Sequence, residues 1–218
     1  MRKGCTGAAL ACAALFGVTA CGSGGHPQTF VPGGSEPPTA QSTANATSAA
    51  PGLVHFPFPS SVHIEFQTPL PTDPQDESVV ITDENFQSAY YYSLYSEGGN
   101  QHFAPYIASP SVLTSVQANV AQNFTGHERI RGTLRIFDTS VSQVTGSAKD
   151  MAVTFCGDNS RLASVSAQTG RVVPDNTPAN DHFFSQTDSY MPTRGGKWGL
   201  VAISTTFYPN GQARECKP

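Results

Sequence analysis

Between Asp76 and Glu97 the apolar residues recur at helical spacing. Val79, Phe86, Ala89, Tyr90 and Leu94 fall on one face. This predicts the main helix, ended by Gly98-Gly99. Val79-Val80-Ile81 is a β-branched run of weak helix propensity, so Thr82 is the candidate cap of the better-formed part. Residues Gln101 to Ile107 predict one further turn. Ser109-Pro110 then reads as an N-cap followed by proline at the first helical position. A second helix follows to about Asn123, with Val112 or Leu113, Val116 and Val120 along its apolar side.

On either side of the helices the period is two. Leu53 to Pro74 is punctuated by Pro57, Pro59, Pro69, Pro71 and Pro74, and inside it Val62-His63-Ile64-Glu65-Phe66 alternates strictly. With prolines flanking it, this is expected to be an edge strand. After Gly126, Gly132 to Phe137 alternates with Leu134 and Ile136 on one side. Asp150 to Cys156 alternates with Met151, Val153 and Phe155 inward. Gly157-Asp158-Asn159-Ser160 reads as a turn into Arg161 to Ala167, and Gln168-Thr169-Gly170 as another turn. Phe183 to Met191 is a fourth long strand. Arg194-Gly195-Gly196 turns into Lys197 to Tyr208, which carries the single tryptophan, Trp198. Helices followed by strands joined through tight turns predict an α+β fold, with N-terminal helices packed on a curved antiparallel sheet.

The N-terminal fifty residues read differently. Arg2 and Lys3 precede an uncharged small and apolar run from Gly7 to Thr19. That run is too short for a mature span, which needs about 20 apolar residues, and fits the h-region of a secretory signal over residues 1–20. It ends in Val18-Thr19-Ala20-Cys21, which resembles a bacterial lipobox. The resemblance implies that the Cys21 thiol receives a diacylglyceryl group and that cleavage makes Cys21 the mature N-terminus. Residues 21–52 are rich in Gly, Ser, Thr, Pro and Ala and lack an apolar period. They read as a disordered tether, about 30 residues with a reach near 30 Å. Residues 53–218 remain as one domain.

The formal charge of -4 becomes more negative once Arg2 and Lys3 leave with the signal. Such a chain suits neither nucleic acid nor anionic headgroups. Of five cysteines, Cys5 and Cys12 leave with the signal and Cys21 takes the lipid. Cys156 and Cys216 remain, an even pair in an oxidising compartment. A mutual disulfide is the expectation; two buried thiols or a redox pair are the alternatives, and neither cysteine lies in a C-x-x-C.

Chemistry is thinly signalled. Tyr90, Tyr91, Tyr92 and Tyr95 offer phenols, with Tyr91 and Tyr95 sharing a helical face, against the plainer reading of core and surface aromatics. Asp181-His182, together with Asp188, offers an acid/base or metal pair against the plainer reading of loop residues; no H-E-x-x-H or C-x-x-C accompanies it. Glu128, Arg129 and Arg131 read as a solvated charge cluster, and no G-x-S-x-G supports a serine hydrolase. No catalytic residue, metal ligand or cofactor is assigned.

Several short motifs, taken in order, carry a resemblance. They are the lipobox, the tether, the Tyr-rich Phe86 to Tyr95 and Val153-Thr154-Phe155-Cys156-Gly157-Asp158. Thr169-Gly170-Arg171, Gly196-Lys197-Trp198 and the terminal Cys216 complete them. Over residues 60 to 218 the chain resembles actinobacterial lipoproteins with a cone-shaped, nuclear-transport-factor-2-like (cystatin-like) domain. The long insert Val172 to Asp181 departs from that pattern. The resemblance implies a concave sheet with a pocket, here around Phe86, Tyr90, Leu94 and Trp198. It also implies a chain held on the outer face of the cell membrane by its lipid, binding a small apolar ligand or an envelope protein. The alternative it allows is an isomerase- or dehydratase-like enzyme, in the manner of ketosteroid isomerase. That chemistry needs an Asp base beside a Tyr and a protonated Asp.

Overall fold

The computed structural model describes residues 52–96, 101–174 and 182–217. Cys21, the signal and nearly all of the tether lie outside these residues, as do Gly98-Gly99 and Asp181. A five-stranded sheet carries two helices. In chain order its elements are β1 (Val62–Phe66), α1 (Pro74–Tyr95), α2 (Pro110–Thr125), β2 (Glu128–Gln143), β3 (Met151–Ser166), β4 (Phe183–Pro192) and β5 (Trp198–Phe207). The strand order is β1-β2-β3-β4-β5. This is the expected α+β class, with one amendment: the sheet is mixed, because β1 runs parallel to β2 while the other pairs are antiparallel. β1 is an edge strand, as its flanking prolines predict.

The first helix starts at Asp73 rather than at Thr82. Asp73 Oδ1 accepts from the Gln75 and Asp76 amides at 2.9 and 3.1 Å, and Pro74 occupies the first turn. Thr82 sits inside the helix and donates to the Ser78 carbonyl. The β-branched run is helical because Val79 and Val80 are fully buried against the sheet, and that burial outweighs their weak propensity. The predicted face is the buried one: Val79, Phe86, Ala89, Tyr90 and Leu94 all enter the core. Residues Ala104–Tyr106 form one 3-10 turn, and Ser109 caps α2 through the Val112 amide. Val116 and Val120 are the buried side of α2.

The turn expected at Gly157 to Ser160 does not exist. β3 runs unbroken through it, pairing with β2 on one side and β4 on the other. Gly157 is there for space, because a Cβ would enter the ring of Phe184. Asp158, expected in that turn, is buried and meets Arg135 of β2 at 3.3 Å. β2 is longer than its alternating stretch suggests and carries two irregularities, between Thr133 and Arg135 and between Phe137 and Ser140. Such bulges bend a strand and raise its twist.

The helix-facing side of the sheet holds Leu134, Ile136, Met151, Val153, Phe155, Phe184, Tyr190 and Leu200. Cys156 and Cys216 are joined in a disulfide, Cα to Cα 5.1 Å. It fixes a terminal 3-10 turn, Gly211–Arg214, which contacts β4 and β5 and buries Ala213. The chain-entropy model gives closure of a loop of this length about 4 kcal/mol.

Candidate functional site

Polar groups in the core converge where α1 crosses β4. Asp83, Gln87 and Tyr90 follow one another at helical spacing along the face of α1 that Val79 and Phe86 also occupy. On β4, Phe184, Gln186, Asp188 and Tyr190 alternate onto one side and are all buried. The two stripes meet. Tyr190 donates its phenol hydrogen to Asp83 Oδ1 at 2.8 Å, and Gln87 Nε2 donates to Asp188 Oδ2 at 2.8 Å. Gln186 Nε2 reaches both Asp188 oxygens at 3.0 Å, and Thr205 of β5 donates to Gln186 Oε1 at 3.2 Å. Asp83 is 2 % exposed and Asp188 0 %.

Two carboxyl groups placed together out of water cannot both ionise cheaply. They stand close enough in the cluster for each to influence the protonation of the other. Burial, reinforced by the nearby Asp83 carboxyl, pushes Asp188 well above the usual carboxylate range, which favours its protonated form. Burial also raises Asp83, to about 6, against the opposing hydrogen bonds from Asp188, Tyr190 and Gln87. Glu84, next along the helix, is pushed up to about 7 by burial and then by the charge of Asp83. The Tyr190 phenol is raised by burial and by both aspartates, and Tyr91 by burial and then Asp188.

The tyrosines of α1 separate in role. Tyr90 is buried and donates to Asn119 Oδ1 of α2 at 2.6 Å, with Tyr91 edge-on at 5.1 Å. Tyr92 packs between Phe56, Phe58 and His102, at centroid distances of 5.5, 5.4 and 5.2 Å. Tyr95 lies beneath the Arg129 guanidinium at 5.9 Å. His182 faces Asn159 at 3.0 Å, while Asp188 belongs to the core cluster, so the pairing considered for these two residues is not made. Among the described residues no group of three or more His, Cys, Asp or Glu could hold a metal. No described helix is long and apolar enough to cross a membrane.

Of the four expected pocket residues, Phe86, Tyr90 and Leu94 are buried in the core and Trp198 packs half-buried against it. None of them lines either of two depressions on the described surface. One, of about 230 Å³, lies between α2 and β5, lined by Val112, Val116, Val201 and Ile203 with Ser111, Ser115 and Ala202. The other, of about 220 Å³, lies beside Tyr95, Arg129 and Arg131.

The Asp83–Asp188 cluster escaped the sequence reading, although a signal was present. Asp83 stands in register with the apolar face of α1, and Asp188 shares its strand face with Phe184 and Tyr190. Chemically, the cluster holds a proton donor, an acceptor and a phenol within one hydrogen-bonded set. Proton transfer to a substrate also needs a place about 3 Å from them for the reacting atom. Here each polar group is directed at another member of the set.

No family model and no curated relative matches the chain. Solved structures do, with low identity. Aln2 from a Streptomyces species is 12 % identical with a TM-score of 0.41, over 64 % of this chain and 94 % of that one. ActVI-ORFA from Streptomyces coelicolor is 14 % identical with a TM-score of 0.39, over 61 % and 97 %. A protein from Catenulispora acidiphila is 8 % identical with a TM-score of 0.40, over 61 % and 94 %. Similarity at this level carries no argument about activity, and the α+β architecture rests on the elements themselves.

Proposed function

We propose that this chain is an extracytoplasmic lipoprotein, held on the outer face of the cell membrane through Cys21, whose cone-shaped domain binds or positions a partner without catalysing a reaction. The observation that carries this is the closed interior. Asp83 is met by Tyr190, and Asp188 by Gln87 and Gln186, at zero to 2 % exposure for the two acids, with Phe86 and Phe155 filling the core around them. A domain built to bind in its cone would leave that volume for the ligand. Here side chains take it, which favours the outer surface as the place of recognition and an envelope protein over a small apolar ligand.

A second reading has one observation in its favour. Two inward carboxyls, one protonated, beside a tyrosine are the ingredients of isomerase chemistry on an enolisable ketone. It requires the core to open beside Tyr190.

The test has two arms. Fractionation of cells carrying Cys21→Ala should move the chain from the membrane to the soluble extracytoplasmic fraction. Retention on the membrane overturns the anchor. The purified wild type, given a β,γ-unsaturated ketosteroid, should form conjugated enone no faster than buffer. Turnover that disappears in Asp188→Asn would replace the binding reading with the enzymatic one.

A further inference from the structure

The two edges of the sheet are treated differently. β1 is short and bracketed by prolines, which blunt an edge against further pairing. β5 has no such protection. From Val201 to Phe207 it reads VAISTTF, without a charge or a proline. Among the described residues, short parallel contacts from Ile107 to Ser109 cover it only at Leu200, whose carbonyl accepts from Ala108 and Ser109. Beyond Leu200 no described strand pairs with it.

The ladder fixes which backbone groups face outward. The Tyr208 amide donates to the Phe183 carbonyl, so Thr206, Ser204 and Ala202 turn their backbone toward β4. Ile203, Thr205 and Phe207 therefore turn theirs away. The Phe207 carbonyl is used by the Asn210 amide. Among the described residues, the remaining N–H groups, with the carbonyls of Ile203 and Thr205, form a short row without backbone partners.

We propose that this edge is a homodimer interface, at which a second copy of the chain adds its own β5, antiparallel about a two-fold axis through Thr205. The register supports this occupant over any other. It sets Ile203 opposite the second copy's Phe207 and Thr205 opposite the second copy's Thr205, both favourable cross-strand pairs. Ser204 meets the second copy's Thr206 on the other face, and no like charges oppose each other. Thr205 exchanges both of its outward groups with the second copy's Thr205, and the Phe207 N–H meets the second copy's Ile203 carbonyl; the Ile203 N–H shares the second copy's Phe207 carbonyl with Asn210, and the set repeats about the axis as an isologous interface requires. The incoming Phe207 lies on the helix-facing side, beside the apolar depression lined by Val112, Val116, Val201 and Ile203.

The experiment uses the exported full chain carrying Cys21→Ser, so that no lipid drives association. Sedimentation over a concentration series should show a monomer–dimer equilibrium. Amide exchange at Ile203, Thr205 and Phe207 should slow as the dimer fills. Thr205→Pro removes an N–H that β4 does not use, together with the hydroxyl bond to Gln186, and should abolish the dimer. A monomer at every concentration overturns the proposal. So does a dimer unchanged in a folded Thr205→Pro variant. If that variant fails to fold, exchange in the chain with native Thr205 decides: equal rates at low and high concentration at these three amides overturn the interface, and concentration-dependent protection supports it.

Discussion

The Tyr190 phenol and the Asp83 carboxylate join β4 to α1 across 2.8 Å of space and 107 residues of chain. Both are buried, so the bond cannot be exchanged for one with water. Tyr190→Phe keeps the ring and deletes the donor, leaving Asp83 with one fewer partner for its charge. Loss of a donor to a buried charged acceptor costs about 1–3 kcal/mol. Denaturant unfolding of the two proteins at pH 7 should show the midpoint falling by a corresponding amount, with the slope unchanged.

Asp83 and Glu84 are raised to about 6 and about 7, and Asp188 is raised with them. The unfolded chain releases these protons first, near the ordinary 3.8 and 4.5. Between those values and the folded ones the native state binds more protons, so stability falls as pH rises. The contribution of Asp83 and Glu84 is fully present below about pH 4 and is lost on passing through about 6 to 7. For Asp83 alone the change amounts to about 3 kcal/mol. Thermal midpoints should therefore be higher at pH 5 than at pH 7.5. A flat or rising profile over that range would contradict the buried acid cluster.

Asp188→Asn should remove much of that dependence. The amide oxygen can still accept from Gln87 and Gln186, and the amide nitrogen can donate to Asp83 in place of the acid proton. The variant no longer has a second carboxyl that the core holds protonated while the unfolded chain ionises it. At pH 7.5 it should melt several degrees above wild type, roughly a 1 kcal/mol gain, with the two proteins converging toward pH 4. Asp188→Ala, which takes an acceptor away from both Gln87 and Gln186, should instead be destabilised at every pH.

The sequence exposes the scaffold better than the site, for a physical reason. The faces of α1 and α2, and the inward residues Leu134, Ile136, Met151, Val153 and Phe155, follow from period alone, because apolar burial imposes that period. The cap at Asp73 was legible as an Asp–Pro pair but lay in a stretch whose prolines suggest loop. The parallel pairing of β1 depends on which strand it meets after a helical excursion of about sixty residues, and no local pattern encodes that. The acid cluster is hidden because a carboxylate on a helix normally marks solvent. Only the coincidence of two polar interruptions, one on each element, makes them a pair. Neither Asp83 nor Asp188 is informative by itself.

Cys156 and Cys216 close a loop of sixty residues and hold the terminal turn against β4 and β5. Cys216→Ser should lower stability by about 2–4 kcal/mol. The first effect is local release of the turn that buries Ala213. Amides Ala213 to Cys216 should lose exchange protection ahead of the core. Loss of protection spread evenly over the whole sheet would show instead that the staple acts on the global unfolding equilibrium.

Gly157 offers a sharper probe of packing, because its φ is not in the left-handed region and alanine there carries no backbone strain. The only penalty for Gly157→Ala is the methyl group, which falls within the ring of Phe184. Phe184 cannot retreat freely, since it stacks edge-on to Phe155 at 6.5 Å and is tilted against Phe207 at 6.1 Å. Overpacking of this kind costs about 1–3 kcal/mol. Phe184→Leu alone should also destabilise, by leaving space beside Gly157. Combined, the methyl occupies part of the volume the ring vacated, so the double variant should lose less than the two single variants together. A double-mutant cycle measured by chemical denaturation gives that coupling directly. Strict additivity would mean that the ring of Phe184 is not what keeps residue 157 a glycine.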